Sequence, residues 1–377
     1  MNILYIITTF EKGVGGHYYS MKSTIEALKP QINPVVVNIG RNESPIIETI
    51  DCDKYQMLYK VYNFVSIQIR LKEIINKHNI QKIHCFDDRA YLFLRSIRFK
   101  NVQLILTKCG GPNLRFYPKI NTLIVYSKEN YEFFRSLGKT ENLYLVPNRV
   151  SSFYGSDERV KDLKTRLRIK STENVFLRIS RITKYYQKSL VQSINLVKSL
   201  ETSRLIIIGQ VMDEEVFEEL KRIKSNKIHL VTDSLYYQNA KEIIPICDFY
   251  IGTGRGLMEA SSMGKVLLSP VKDSKFPAII KEGNFNSFFS TNFSERNKLD
   301  CDEIDFLNDI RNLLESKAEM LKLQKFSKKL FDEHFNINTK KEWYLRIYTS
   351  QLKGPNLNVL DRIKHFLIFH YHYLTQG

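Results

Sequence analysis

The sequence predicts an α/β protein made of two doubly wound parallel-sheet domains, followed by a helical C-terminal tail. Three observations carry that prediction. Short apolar, β-rich runs alternate with segments of helical apolar spacing, the pattern of parallel strands covered on both faces. The alternation stops over a polar, basic stretch at 151–172 and then starts again. Finally, 377 residues of which 43% are hydrophobic suit two domains, each able to bury its own core.

Met1–Phe10 reads as a buried first strand that runs into Gly13-Val14-Gly15-Gly16 and a helix over Tyr18–Lys29. It lacks the basic start and small-residue cleavage site of a signal peptide. Strand, glycine turn and helix open a nucleotide-binding βαβ unit. Pro34–Ile39 is a second strand. Leu58–Lys77 has helical spacing, with Val61, Phe64, Val65, Ile69 and Ile74 on one side. Lys82–Phe86, Gln103–Thr107, Thr122–Tyr126 and Asn142–Pro147 are further apolar runs, and the first domain is set at 1–150.

The second domain is set at 151–350. Its expected strands are Val175–Ile182, Arg204–Gly209, Lys227–Thr232, Asp248–Ile251 and Lys265–Ser269. Helices fall at Ser189–Leu200, Asp213–Lys224, near Gln238–Ile246 and at Leu257–Met263. From Asp302 the chain reads as helical throughout. Segment 351–377 holds Gly354-Pro355 and then an aromatic, His-rich helix, Val359–Leu374, expected to pack back on the first domain. Ligands of such sheets bind at the carboxyl ends of the strands, so both domains are expected to face one cleft.

Composition excludes several classes. The apolar content is too high for disorder, and 16 Gly and 10 Pro are too few for a collagenous or low-complexity chain. No apolar run approaches the roughly 20 residues of a membrane-spanning helix. Five scattered cysteines without a Cys-x-x-Cys argue against a disulfide scaffold or structural zinc and suit a reducing cytosol. The net charge of +17 divides into 21 basic and 12 acidic residues over 1–150 and 36 and 28 over 151–377. No nucleic-acid motif or basic helix stripe accompanies it, so no nucleic-acid partner is expected. The denser excess in the first domain suits an anionic membrane surface.

The residues with chemical potential lie in the loops. Gly15 and Gly16 allow backbone amides to approach a phosphate or sugar, ahead of a helix N-terminus that favours anions. They do not complete a dinucleotide fingerprint, because Tyr18 stands where the last glycine belongs and no acidic residue ends the second strand. Arg181 at a strand end and Lys188 at a helix start are two cations able to hold a diphosphate, or else ordinary surface charge. The run Gly252-Thr253-Gly254-Arg255-Gly256-Leu257-Met258-Glu259-Ala260 is a glycine turn opening a helix that carries one carboxylate, a combination suited to phosphate and ribose. His17, Asp87 and Asp88 sit at expected strand ends, where they could contact acceptor hydroxyls, act as a base or cap a helix. Lys108 and Arg115 flank Gly110-Gly111-Pro112 and could meet an anionic acceptor.

Arg181 with Lys188, Leu205–Gly209, Cys247-Asp248, and Glu259-Ala260 with Gly264 resemble, in that order, the donor-binding half of family-four glycosyltransferases. Gly15-Gly16, Ile83-His84, Tyr126-Ser127-Lys128 and Val146-Pro147-Asn148 follow the order of that family's first half. The resemblance spans most of 1–270. It implies the GT-B fold of two Rossmann-like domains and transfer from a UDP- or GDP-linked sugar with retention of configuration. It also implies Arg181 and Lys188 on the diphosphate, Glu259 on the ribose, and Gly15, Gly16, Gly209, Gly254, Gly256 and Leu257 around the donor. Arg255 offers a third cation, and neither a metal nor a further cofactor is expected. The expected acceptor is a lipid-linked bacterial surface glycan (capsule, O-antigen or exopolysaccharide), reached from the cytoplasm at the inner membrane face.

The chain departs from the family's pattern at three points. The Arg181-to-Lys188 spacing is two residues longer, Ile251 replaces a glutamate eight positions before Glu259, and Cys109 stands where many members carry a histidine. These departures leave the donor sugar unassigned. They keep two alternatives open, a non-catalytic partner or scaffold and a nucleotide-sugar epimerase of the same fold.

Overall fold

A computed structural model describes all residues except 11, 100, 112, 114–116, 118, 301, 340, 351–357 and 376–377. The expected Arg115 contact and the Gly354-Pro355 break therefore lie outside the described residues. The chain forms two compact units, Met1–Asn148 with Ile337–Gly377, and Arg149–Asn336.

Unit 1 is built on seven strands: β1 (Asn2–Thr9), β2 (Asn33–Gly40), β3 (Asp53–Leu58), β4 (Lys82–Cys85), β5 (Gln103–Lys108), β6 (Ile120–Val125) and β7 (Thr140–Leu145). Their order is β3-β2-β1-β4-β5-β6-β7 and every pair is parallel. The order reverses at β1 and β4. β1 buries seven of its eight residues, because successive side chains of a central strand meet helices on opposite faces. Ile3, Tyr5 and Ile7 enter one core cluster and Leu4 and Ile6 the other.

The sequence reading missed β3, an edge strand whose burial is mostly partial and whose polar residues hide its period. It also assigned Val65 and Ile69 to the packed side of the helix Phe64–Lys77. That helix instead buries Ile67, Leu71, Ile74 and Ile75 and leaves Val65 and Ile69 exposed. The segment carries two apolar stripes, and the sheet takes the longer one.

The C-terminal residues return to unit 1 at Ile337 rather than at 351. The helix Lys341–Thr349 places Tyr344, Ile347 and Tyr348 in the core cluster of Ile3 and Tyr5. The helix Val359–Thr375 places Phe369 and Tyr373 in the opposite cluster, with Leu4 and Ile6. The tail thus covers both faces of the sheet. Aromatic residues in 341–350 read as a continuation of the preceding helices, which is why the sequence boundary fell late.

Unit 2 holds β8 (Asn174–Ile179), β9 (Ser203–Ile208), β10 (Ile228–Val231), β11 (Phe249–Ile251), β12 (Val266–Ser269) and β13 (Ala278–Ile279). The order is β10-β9-β8-β11-β12-β13, with only the two-residue β13 antiparallel. The expected helix near Gln238–Ile246 is a 3-10 segment, Ala240–Ile246, with Pro245 inside it. Proline removes an amide donor and obstructs an α-helical turn.

One packing device recurs in both sheets. A Cβ added to Gly40, at the end of β2, would stand 1.9 Å from the Thr9 carbonyl oxygen. A Cβ on Gly209, just after β9, would stand 1.8 Å from the Ser180 carbonyl oxygen. Each sheet therefore requires glycine where its second strand closes on its first.

Candidate functional site

In unit 2 the strand order reverses between β8 and β11, and crevices for ligands open at the carboxyl ends of strands at such a switch point. Two loops leave the sheet there. The loop after β8 carries Arg181, and the helix Gln187–Lys198 that follows carries Lys188 in its first turn; both side chains are exposed. Among the described residues neither has an ion-pair partner. Tyr186 occupies the N-cap position without a side-chain hydrogen bond, and the first turn has no acidic residue. A lysine at the positive end of an uncapped helix is unfavourable by itself and becomes favourable when an anion binds between them.

The loop after β11 is Gly252-Thr253, leading into the helix Gly254–Ser262. Its glycines answer to a residue below them. Tyr250 is buried in β11, and a Cβ on Gly252 would meet its ring at 2.4 Å while one on Gly256 would meet its hydroxyl at 2.4 Å. Gly254 adopts φ +49°, a left-handed conformation that glycine accepts without strain. Arg255 Nε donates to Glu259 Oε1 at 2.8 Å, with both side chains largely buried. The residues expected to serve as third cation and ribose carboxylate are therefore partners of each other. Leu257 is fully buried in the core, and Gly209 has the close-packing role described above.

Sequence reasoning missed a buried charge cluster behind the Lys188 loop. Arg178 in β8 has no exposed surface. Its Nη2 donates to Ser189 Oγ at 3.0 Å and lies 3.5 Å from Glu295 Oε1, and the Ser189 hydroxyl bonds the same carboxylate. Arg178 Nε and Nη1 are buried without hydrogen-bond partners. Burial raises the Glu295 carboxyl above its ordinary range, an effect that Arg178 opposes. Register puts Arg178 beside Ile251, since Phe249 and Tyr250 pair with Phe176 and Leu177. Ile251, where the resemblance would place a glutamate, thus borders an arginine that draws its carboxylate from Glu295. The only sequence signal was an arginine inside an apolar strand.

In unit 1 the corresponding switch point lies between β1 and β4. Gly15 caps the helix Gly16–Leu28, and nothing lies within 4 Å of a Cβ added to Gly16. His17 packs its ring 4.2 Å from that of Tyr18. Asp87 is a helix cap: its carboxylate accepts from Thr8 N at 2.7 Å, Thr8 Oγ1 at 2.9 Å and Ala90 N at 2.7 Å, tying β4 to β1. Asp88 differs. Its Oδ2 accepts from the Tyr117 hydroxyl at 3.2 Å, and its Oδ1 is buried with no hydrogen-bond partner. Burial raises its carboxyl, while Lys108 opposes the shift. Lys108 is buried and donates to the Gly110 carbonyl at 3.0 Å, and burial pushes the Cys109 thiol up to about 12. His84 is a core residue bonded to the Tyr348 hydroxyl at 2.7 Å and Thr107 Oγ1 at 2.6 Å. Among the described residues no three His, Cys, Asp or Glu side chains gather as a metal site.

No protein-family model matches the chain, and no curated protein matches its sequence. Solved structures are similar to it. A glycosyltransferase from Rickettsia africae is 15% identical and covers 92% of this chain and 97% of its own, with a TM-score of 0.66. HepE from Anabaena, solved in complex with UDP, is 12% identical over 93% and 100%, with a TM-score of 0.68. The UDP-GlcNAc 2-epimerase of Neisseria meningitidis, bound to UDP-GlcNAc, is 12% identical over 92% and 99%, with a TM-score of 0.56. At such identities the likeness establishes the fold. The chain has the predicted GT-B class of fold: two Rossmann-like parallel-sheet units and a C-terminal helix.

Proposed function

We propose that the protein is a glycosyltransferase that moves a sugar from a UDP- or GDP-linked donor to an acceptor hydroxyl, with retention of configuration and without a metal. The observation that carries the reading is the pair of exposed cations, Arg181 and Lys188, at the β8/β11 switch point beside an uncapped helix N-terminus. When the bond from the anomeric carbon to the diphosphate breaks, its electron pair stays on the phosphate oxygen, and fixed cations stabilise that developing charge. Glu259 and the Gly254–Gly256 turn hold the nucleoside. In unit 1, Gly15 and Gly16 admit the donor, and Asp88, whose buried Oδ1 has an acceptor site still unused, meets the acceptor hydroxyl once local movement uncovers it, whereas Asp87 is saturated. The structures solved with UDP and UDP-GlcNAc support a nucleotide-sugar ligand for this fold. The acceptor in this reading is a lipid-linked surface glycan, met by a cytoplasmic protein in peripheral contact with an anionic membrane.

Lys188→Ala tests the donor site. Losing one charge-assisted bond of about 1.5–3 kcal/mol should weaken UDP or GDP binding by roughly 10- to 100-fold in calorimetry and abolish transfer. Undiminished binding and turnover would sink the assignment. A second reading, a nucleotide-sugar epimerase, is favoured by Ile251 in place of the sugar-side carboxylate and by the epimerase of the same fold. Donor conversion without any acceptor would select it over transfer. A scaffold would bind neither diphosphate.

A further inference from the structure

The terminal helix Val359–Thr375 has two apolar faces, and unit 1 uses one. His365, Phe369, His370 and Tyr373 are buried. On the other side Leu360, Ile363, Leu367, Tyr371 and Leu374 are 50–76% exposed. At 100° per residue these five fall within a stripe about 80° wide and about 21 Å long.

A second exposed stripe begins beside it. Phe64 packs edge-on against Phe366 and His370, with ring centroids 4.7 and 5.7 Å apart. Around Phe64 the chain exposes Leu58, Val61, Tyr62, Val65 and Ile69. Eleven of the twenty large apolar side chains exposed among the described residues lie in segments 58–69 and 359–374. Scattered apolar residues are normal on a surface, but a concentration of this kind marks an interaction site.

Charge selects the occupant. Segments 58–69 and 359–375 carry Lys60, Arg362 and Lys364 against Asp361, and Arg70 and Lys72 follow directly on the first. Unit 1 holds 26 basic and 14 acidic residues, net +12, which leaves +5 for unit 2. A second copy of the chain would press two such basic faces together. An anionic bilayer would instead neutralise them and take up the apolar stripe, as it does for helices lying in the interface plane. Tyr62 and Tyr371 suit the headgroup level, with an apolar ring and a polar tip. No helix among the described residues is long and apolar enough to cross a membrane.

We propose that this face docks unit 1 flat on an anionic lipid surface through the helix Val359–Thr375 and residues 58–69. The proposal names the surface for the membrane contact proposed above, and its test needs neither donor nor acceptor. Full-length protein is floated with phosphatidylcholine vesicles with and without phosphatidylglycerol. It should bind only the vesicles that contain phosphatidylglycerol. Leu360→Glu with Leu367→Glu should lower that binding by about tenfold or more, while UDP affinity and melting temperature stay unchanged because both residues are exposed. Binding that survives the double substitution, equal binding to phosphatidylcholine alone, or no binding to either vesicle would overturn the proposal. So would light scattering that shows a dimer dissolved by the same substitutions, which would assign the face to a second copy.

Discussion

Gly209→Ala and Gly16→Ala should have opposite effects, although both glycines were read from the sequence as donor contacts. At Gly209 the new methyl group would stand 1.8 Å from the Ser180 carbonyl oxygen, well inside contact distance. Both neighbours are strand-end backbone, so β8 and β9 must separate. Overpacking of this kind costs about 1–3 kcal/mol, and a backbone clash belongs at the upper end. For the unit Arg149–Asn336, about 3 kcal/mol corresponds to a fall in melting temperature of roughly 6–12 °C. Ser180 precedes Arg181, so the displacement also moves the proposed diphosphate cation. UDP binding should weaken by about tenfold, an effect near 1.4 kcal/mol. Gly16 has open space around it and opens a helix, so alanine there should leave stability unchanged or raise it by about 0.4–1 kcal/mol. If Gly16 admits the donor, transfer nevertheless falls. Thermal melts and calorimetry with UDP on the two variants decide the matter. A Gly209→Ala protein that melts and binds UDP like wild type would refute the close-packing argument.

Three further outcomes are expected. Burial holds the His84 imidazole down at about 3, from an ordinary 6.5. Between those values the unfolded chain binds a proton that the fold refuses, so stability is full above pH 6.5 and is lost as pH falls; by pH 5 the loss is about 2 kcal/mol. His84→Gln should remove that part of the acid sensitivity in denaturant melts at pH 7.5 and 5.0, and an unchanged slope would exclude His84 as its source. Glu295 has the opposite sign, because its carboxyl is raised: its contribution is present below the ordinary glutamate range and declines as pH rises through the folded value. Glu295→Gln should flatten that decline, whereas Glu295→Ala should cost about 2–4 kcal/mol by leaving the unexposed Arg178 without its carboxylate. Asp88→Asn should lower transfer with little change in UDP affinity, whereas Asp87→Ala should destabilise unit 1 by about 1–2 kcal/mol through loss of a helix cap.

The two halves were legible because each central strand is apolar on both faces and the intervening helices are amphipathic. What stayed hidden has a common cause. β3 and β13 are edge elements whose burial depends on their neighbours rather than on a period of their own. Arg178 looked like an interruption in an apolar strand, and only pairing with Glu295, 117 positions away, explains how the core tolerates it. Gly209 was legible as a required glycine but not as to why: a motif and a packing contact leave the same letter in the sequence. Asp87 and Asp88, adjacent and chemically alike, part company only when Thr8 saturates one and leaves the other with a bare oxygen.

The same distinction bears on how far the fold can speak for chemistry. A transferase and, with a lower TM-score, an epimerase share this architecture (0.66 and 0.56), so the choice of chemistry falls to side chains at the β8/β11 switch point. The resembled glycosyltransferases carry a glutamate at the position of Ile251, which in this chain lies on the strand beside Arg178. Here that position is apolar, and Glu295 meets Arg178 both directly and through Ser189, the residue directly after Lys188. Neutralising Glu295 should therefore act on the proposed donor site through the Lys188 loop. If it does, Glu295→Gln will change UDP affinity and its pH dependence together, while Ile251→Glu, which adds a second carboxylate beside Arg178, will compete with Glu295 and restore affinity to the Glu295→Gln protein. Additive effects in that double variant would show that the two positions do not share Arg178.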